Sequence, residues 1–246
     1  MNSRVTGADI RERLAVVHEN IRGALERSGR SGESVRVLVA TKYYAPEQLA
    51  ELAGAGVELV GENRAEDLAE KQEMFGDSFE WHFIGHVQRR KAKVVVPRVT
   101  LIHSVDSVRL IEEISRRAPE GGADVLVQVN VGDEESKYGV SEDEVEVLLE
   151  AAAGTEGRAR GRVRVRGFMT LAPLVEDPED VRHVFAKLGT IRDRLRESWS
   201  PHFDLSELSM GMSGDYEVAV EEGATVVRIG RMLIEEDGPV RRQDGS

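Results

Sequence analysis

The sequence predicts a single (β/α)8 barrel preceded by one extra helix, and three observations carry that prediction. Short β-branched runs alternate with longer amphipathic segments along the chain, the pattern of repeated βα units. Eight such runs occur, with no linker-like stretch dividing them. The chain has 246 residues, and one barrel of this kind takes about 250. An open doubly wound sheet is the alternative architecture.

Ala8 to Arg27 reads as the extra helix, with Ile10, Leu14, Val17, Ile21 and Leu25 at spacings of three and four. Val35–Thr41 is the first strand, and the helix after it opens at Pro46, a favoured first-turn position. Val57–Gly61 and Trp81–Gly85 are the second and third strands, each followed by a charged helical stretch. Leu101–Ser104 is the fourth, with Asp106 placed to cap the next helix. Val125–Val131 is the fifth, a near-continuous apolar run that suits a parallel strand covered on both faces. Its helix starts near Ser141, where Ser-Glu-Asp-Glu has the form of a capping box. Val163–Thr170, a long helix from about Pro178 to Ser198, Glu207–Met210 and Thr225–Gly230 complete the pattern. Residues 1–234 are thus assigned to the barrel and 235–246 to a polar tail.

With 40% hydrophobic and 32% charged residues, the chain has the material for a large core and a solvated surface. No apolar run approaches the roughly 20 residues that span a bilayer. The segment Met1 to Arg13 lacks the apolar centre of a signal peptide. There is no cysteine, which removes disulfides and thiolate chemistry. A cytoplasmic, monomeric protein is the expectation. The net charge of −12 argues against nucleic acid as a partner. Arg158, Arg160, Arg162, Arg164 and Arg166 alternate with small or apolar residues but without interleaved aromatics. They read as a solvated loop entering a strand, with Val163 and Val165 facing inward.

In such barrels the reactive groups lie at the C-terminal ends of the strands. Those ends hold Lys42, Asn63, His86, Ser104, Asn130, Thr170, Ser209 and Arg228–Gly230. A lysine, several small hydroxyl or amide residues and an arginine on one rim suit an anionic ligand that bears a carbonyl. Apolar walls around Lys42 would favour its neutral amine, which condenses with aldehydes; a plain surface lysine is the other reading. Ser209-Met210-Gly211-Met212-Ser213-Gly214-Asp215 before a short helix, Tyr216 to Glu222, suits a phosphate, or is an ordinary glycine-rich turn. Arg228 inside an apolar strand needs an acceptor, and Gly230 allows close backbone approach to a phosphate. The histidines have no metal-ligand spacing, and no Walker A or G-x-G-x-x-G loop occurs.

These residues bring a family into view. The chain resembles the pyridoxal phosphate homeostasis proteins, whose barrel is of the alanine racemase N-terminal type, from about Arg11 to Ile234. The matching blocks include the strand leading into Lys42, Gly61-Glu62-Asn63, Trp81-His82-Phe83-Ile84-Gly85 and Ile102-His103-Ser104-Val105-Asp106. Others are Gln128-Val129-Asn130, Glu135-Ser136-Lys137-Tyr138-Gly139, Gly167-Phe168-Met169-Thr170, Leu208 to Ser213 and Val227 to Gly230.

The resemblance implies pyridoxal 5'-phosphate (PLP) bound as an aldimine on Lys42. It implies a phosphate held by Ser213 and the backbone around Gly230 and Arg231, with Arg228 beside the pyridine nitrogen. Asn63, His86, Met169 and Ser209 complete the implied cofactor contacts. A guanidinium there keeps the ring nitrogen unprotonated and the ring a weak electron sink. Alanine racemases also carry a second domain that supplies a base; with residues 1–234 assigned to the barrel, no such base is expected here. The expected role is therefore a PLP carrier or buffer, with PLP-dependent apo-enzymes as its partners and feeble racemase activity at most. A PLP-dependent racemase and a PLP-free isomerase or aldolase are the rivals. Departures from the family pattern are Arg231 for a threonine or serine, Arg64 for an aromatic, His86 for a proline, and Tyr43 and Tyr44 after the lysine.

Overall fold

The computed structural model describes residues 5–132, 138–154 and 162–234. The tail at 235–246, Arg158 and Arg160, and residues 135–137 of one matching block lie outside them. Helix α1 (Gly7–Arg27) opens on a reciprocal cap, in which the Thr6 hydroxyl accepts from Asp9 N and the Asp9 carboxylate accepts from Thr6 N. Then follow β1 (Arg36–Ala40), α2 (Leu49–Gly54), β2 (Leu59–Glu62), α3 (Ala65–Phe75), β3 (Glu80–Phe83) and α4 (Ala92–Val95). Next come β4 (Leu101–Val105), α5 (Val108–Arg117), β5 (Ala123–Gln128), α6 (Val145–Ala153) and β6 (Val163–Met169). The chain ends with α7 (Arg182–Trp199), β7 (Glu207–Met212), α8 (Tyr216–Glu221) and β8 (Val226–Ile229).

Every strand pairs in parallel with its neighbours in sequence, and β8 pairs with β1, so the sheet closes into a barrel. An open sheet is thereby excluded. A 3-10 turn, Arg231–Leu233, follows β8 where an eighth outer helix would begin. Helix α1 fills that place in the ring, packed between α8 and α2. Buried Asn20 ties it to α8 by donating to the Tyr216 hydroxyl at 2.8 Å.

The main core lies between sheet and helices and joins outward strand residues such as Val39, Val125, Val163 and Val165 to helix residues such as Leu52, Leu68 and Leu188. Val163 and Val165 are buried as expected, but they face this helical layer and not the barrel interior. The arginines beside them are surface groups, with Arg164 and Arg166 both reaching the Asp124 carboxylate. Two small apolar clusters fill the interior, Leu38, Leu59 and Val226 on one side and Leu101, Leu126 and Met169 on the other. Between them runs a column of buried polar side chains, His82, His103, Ser209 and Arg228.

Two local expectations change. Ser107, not Asp106, occupies the cap position of α5; Asp106 instead meets His86 Nδ1 at 3.2 Å. The seventh strand runs on to Met212, so Ser209 sits inside the barrel wall and not at its rim. The capping box at Ser141 forms, with Glu144 accepting from Ser141 N at 3.0 Å ahead of α6.

Candidate functional site

A cavity of about 590 Å³ opens at the C-terminal mouth of the barrel, within the range of small-molecule sites. Its wall gathers Lys42, Asn63, Ser213, Arg228, Gly230 and Arg231 from β1, β2, β7, β8 and the loops after them.

Lys42 belongs to a 3-10 turn, Thr41–Tyr43, that continues β1. Its side chain is exposed at the open mouth of the cavity, with Nζ 4.8 Å from the centre of the Tyr43 ring and apolar residues such as Ile84, Leu171, Ala172 and Met212 in the same wall. The turn is anchored from beneath. Buried Thr41 donates from its hydroxyl to Glu62 Oε2 at 2.7 Å, and its carbonyl accepts from Lys71 Nζ at 2.8 Å. Lys71 and Glu62 form an ion pair at 2.6 Å with side chains 5% and 0% exposed. Asn63 follows directly; its backbone N–H donates to Glu62 Oε1 at 2.7 Å. The Asn63 side-chain oxygen is buried without a hydrogen-bond partner, an unfilled acceptor at the cavity wall.

Arg228 forms the base. It is 6% exposed and donates from Nη1 to Ser209 Oγ at 2.7 Å and from Nη2 to the Thr170 carbonyl at 2.8 Å. Burial pulls its pKa down to about 10, against the pull of the Asp215 carboxylate, and it stays a cation at neutral pH. Asp215 itself is pushed up by burial, while its carboxylate accepts from Met212 N at 2.5 Å.

On the third side, Ser213 and Gly214 face Gly230 across the cavity wall, and Gly230 N–H approaches Ser213 Oγ at 3.4 Å. A side chain at 230 would place its Cβ 2.8 Å from Tyr43 Cε2, so glycine is what lets the strand end pass close to the ring. Helix α8 spans only six residues. An anion here therefore relies on hydroxyl and backbone donors more than on a helix dipole.

Three expected residues stand back from the cavity. Met169 is buried in the interior cluster, and Ser209 lies beneath Arg228. His86 stacks on Tyr138 with ring centres 4.3 Å apart, and through Tyr138 it backs the rim. Ser104 and Thr170 are likewise buried, donating to the carbonyls of Gly85 and Val129. Sequence reasoning assigned no role to Tyr43, Tyr138, the Leu171–Leu174 rim, Glu62, Lys71, His82 or His103. The two histidines at inward positions of neighbouring strands were the one readable signal.

A lysine at the mouth, a buried cation at the base and small hydroxyl and glycine residues alongside define a parallel barrel that takes an anionic, carbonyl-bearing small molecule. The family described as alanine racemase, N-terminal domain matches residues 13–236. The pyridoxal phosphate homeostasis protein of Aquifex aeolicus is 43% identical over 228 residues, covering 92% of this chain and 97% of that one. The chain belongs to this family of alanine racemase-type barrels and, within it, to the pyridoxal phosphate homeostasis proteins. PipY of Synechococcus elongatus, solved with PLP bound, superposes with a TM-score of 0.77 at 30% identity, covering 92% of this chain and all of that one. Diaminopimelate decarboxylase of M. jannaschii shares the fold at 13% identity and a TM-score of 0.70, with 60% of its chain covered.

Proposed function

We propose that the protein holds PLP as an aldimine on Lys42 and acts as an intracellular carrier or buffer of the cofactor, exchanging it with PLP-dependent apo-enzymes. The observation that carries this reading is the single cavity in which an accessible amine, a buried guanidinium and a hydroxyl–glycine wall converge. The residues suit the group. Lys42 Nζ is exposed for attack on an aldehyde, and Asn63 has an unfilled acceptor for a ring hydroxyl. Ser213 and the backbone of Gly230 and Arg231 offer donors for a phosphate, with Arg231 adding a positive charge. When bound, PLP supplies a reversible carbonyl trap and a ring that accepts electron density. Arg228 presents a cation at the base and so opposes a proton on the ring nitrogen, which weakens that electron sink. Holding without turnover fits these electrostatics, and relatives named for PLP homeostasis support it. The assignment of residues 1–234 to one cofactor-binding barrel, the cytoplasmic location and the monomeric state are part of the same proposal. No helix among the described residues is long and apolar enough to cross a membrane.

The test is the absorbance of the purified protein with PLP, followed by borohydride reduction and peptide mass analysis. The expected adduct is on Lys42, and Lys42→Ala removes it while the circular dichroism stays that of the folded barrel. An adduct on another lysine refutes the assignment. Exchange of the α-hydrogen of L- or D-alanine at rates of ~1 s⁻¹ or more, the ordinary range of enzymes, would make the protein a racemase instead.

A further inference from the structure

A hydrogen-bonded chain crosses the barrel from its floor to the cavity. It begins at Glu80, the first residue of β3, whose half-exposed carboxylate also meets Arg36 Nη2 at 2.5 Å and accepts from the Thr100 hydroxyl at 3.0 Å. Glu80 Oε1 lies 2.9 Å from His82 Nε2, and His82 Nδ1 lies 2.9 Å from His103 Nε2. His103 Nδ1 is 2.8 Å from Ser209 Oγ, which accepts from Arg228 Nη1 at 2.7 Å. His82, His103, Ser209 and Arg228 are all buried.

The protons along the chain run in one direction. Contact with His82 holds the Glu80 pKa down at about 2, so at neutral pH it is a carboxylate and only accepts. His82 Nε2 must then carry a proton. Burial keeps both imidazoles neutral, with one proton each. His82 Nδ1 is therefore an acceptor, and His103 Nε2 donates to it. That leaves His103 Nδ1 as an acceptor for the Ser209 hydroxyl, and the serine lone pairs are left for Arg228. Every link is filled in this arrangement, and each donor polarises the next.

We propose that Glu80, His82 and His103 are positioning residues for the cofactor's ring: they lock the Ser209 proton toward His103, so that its oxygen holds the Arg228 guanidinium in place at the base of the cavity. The proposal rests on the reading that Arg228 meets the ring nitrogen of PLP. Two of the guanidinium's donors are occupied by Ser209 and the Thr170 carbonyl, and the edge lining the cavity is left for the ligand. A group at the barrel floor thereby acts on a cofactor it does not touch.

The first measurement is the tautomeric state of the two histidines, read by nitrogen-15 NMR on the protein without PLP. Protons on Nε2 of both are expected; a proton on Nδ1 of either, in place of Nε2, overturns the chain. The second is a PLP titration of Glu80→Gln, whose amide can donate to His82 Nε2 and so permits the reversed arrangement. The dissociation constant is expected to rise about three- to tenfold, the worth of one hydrogen bond, with a shift in the absorbance of the Lys42 adduct and in the histidine tautomers. Arg36→Gln breaks the same surface ion pair but leaves the chain intact, and it is expected to change none of these. A dissociation constant for Glu80→Gln within about twofold of the parent, or an equal rise in Arg36→Gln, overturns the positioning role. If the parent forms no reducible adduct on Lys42, the carrier reading and the link to the cofactor fall together. The tautomers then still decide whether the chain exists.

Discussion

Replacing Lys71 with methionine removes one half of an ion pair that has no solvent to fall back on. The two side chains are 5% and 0% exposed and meet at 2.6 Å. Glu62 has three donors, Lys71 Nζ, the Thr41 hydroxyl and the Asn63 N–H. With methionine in place the carboxylate keeps two of them but loses its countercharge, and the Thr41 carbonyl loses the donor it has at 2.8 Å. Breaking a buried pair from one side costs about 3–5 kcal/mol, against a total stability of about 5–15 kcal/mol for a folded domain. Lys71→Met is therefore expected to lose a large part of the stability measured by urea unfolding with linear extrapolation. Adding Glu62→Gln removes the stranded charge, so the double variant is expected to be more stable than Lys71→Met alone. Because the pair anchors the turn that carries Lys42, Lys71→Met should also slow adduct formation under conditions where it remains folded. A cost below about 1 kcal/mol, the value of an exposed pair, would refute the reasoning, as would a double variant less stable than the single one.

Ser213→Ala is expected to weaken PLP retention modestly, about three- to tenfold for one lost hydrogen bond. Gly230→Val should weaken it severely, because its Cβ lands on the Tyr43 ring at the cavity wall; equal and negligible effects on PLP dissociation would move the phosphate elsewhere. Acid is expected to destabilise the fold from just below neutrality. His82 and His103 have folded-state pKa values below the ordinary 6.5, so the unfolded chain takes up their protons first. Their contribution is full above pH 6.5 and is lost as pH falls, with a slope of up to about 1.4 kcal/mol per pH unit for each. Urea unfolding between pH 7 and 5 reads that slope, and a flat profile would refute the burial of two neutral imidazoles.

The barrel was legible because its strands are β-branched runs and its helices carry a 3.6-residue period, both local properties of the chain. Lys42 was legible for the same reason, as the polar residue that ends an apolar run. Strand ends were less so: β7 continues through Gly211 to Met212, and this extension moved Ser209 from rim to interior. Lys71 sits in Ala-Glu-Asp-Leu-Ala-Glu-Lys-Gln, which reads as a solvated helix face. Only the docking of α3 over the Thr41 turn shows it to be buried. The imidazole–serine contact joins residues 106 positions apart. No periodicity within a strand encodes such a contact; it exists because closure brings β4 to face β7 across the interior. The sequence by itself determined the order and kind of the elements and the amine at the first strand's end. Tertiary structure decided which charges lost their water, because burial and hydrogen-bond direction depend on what the rest of the chain places opposite each side chain.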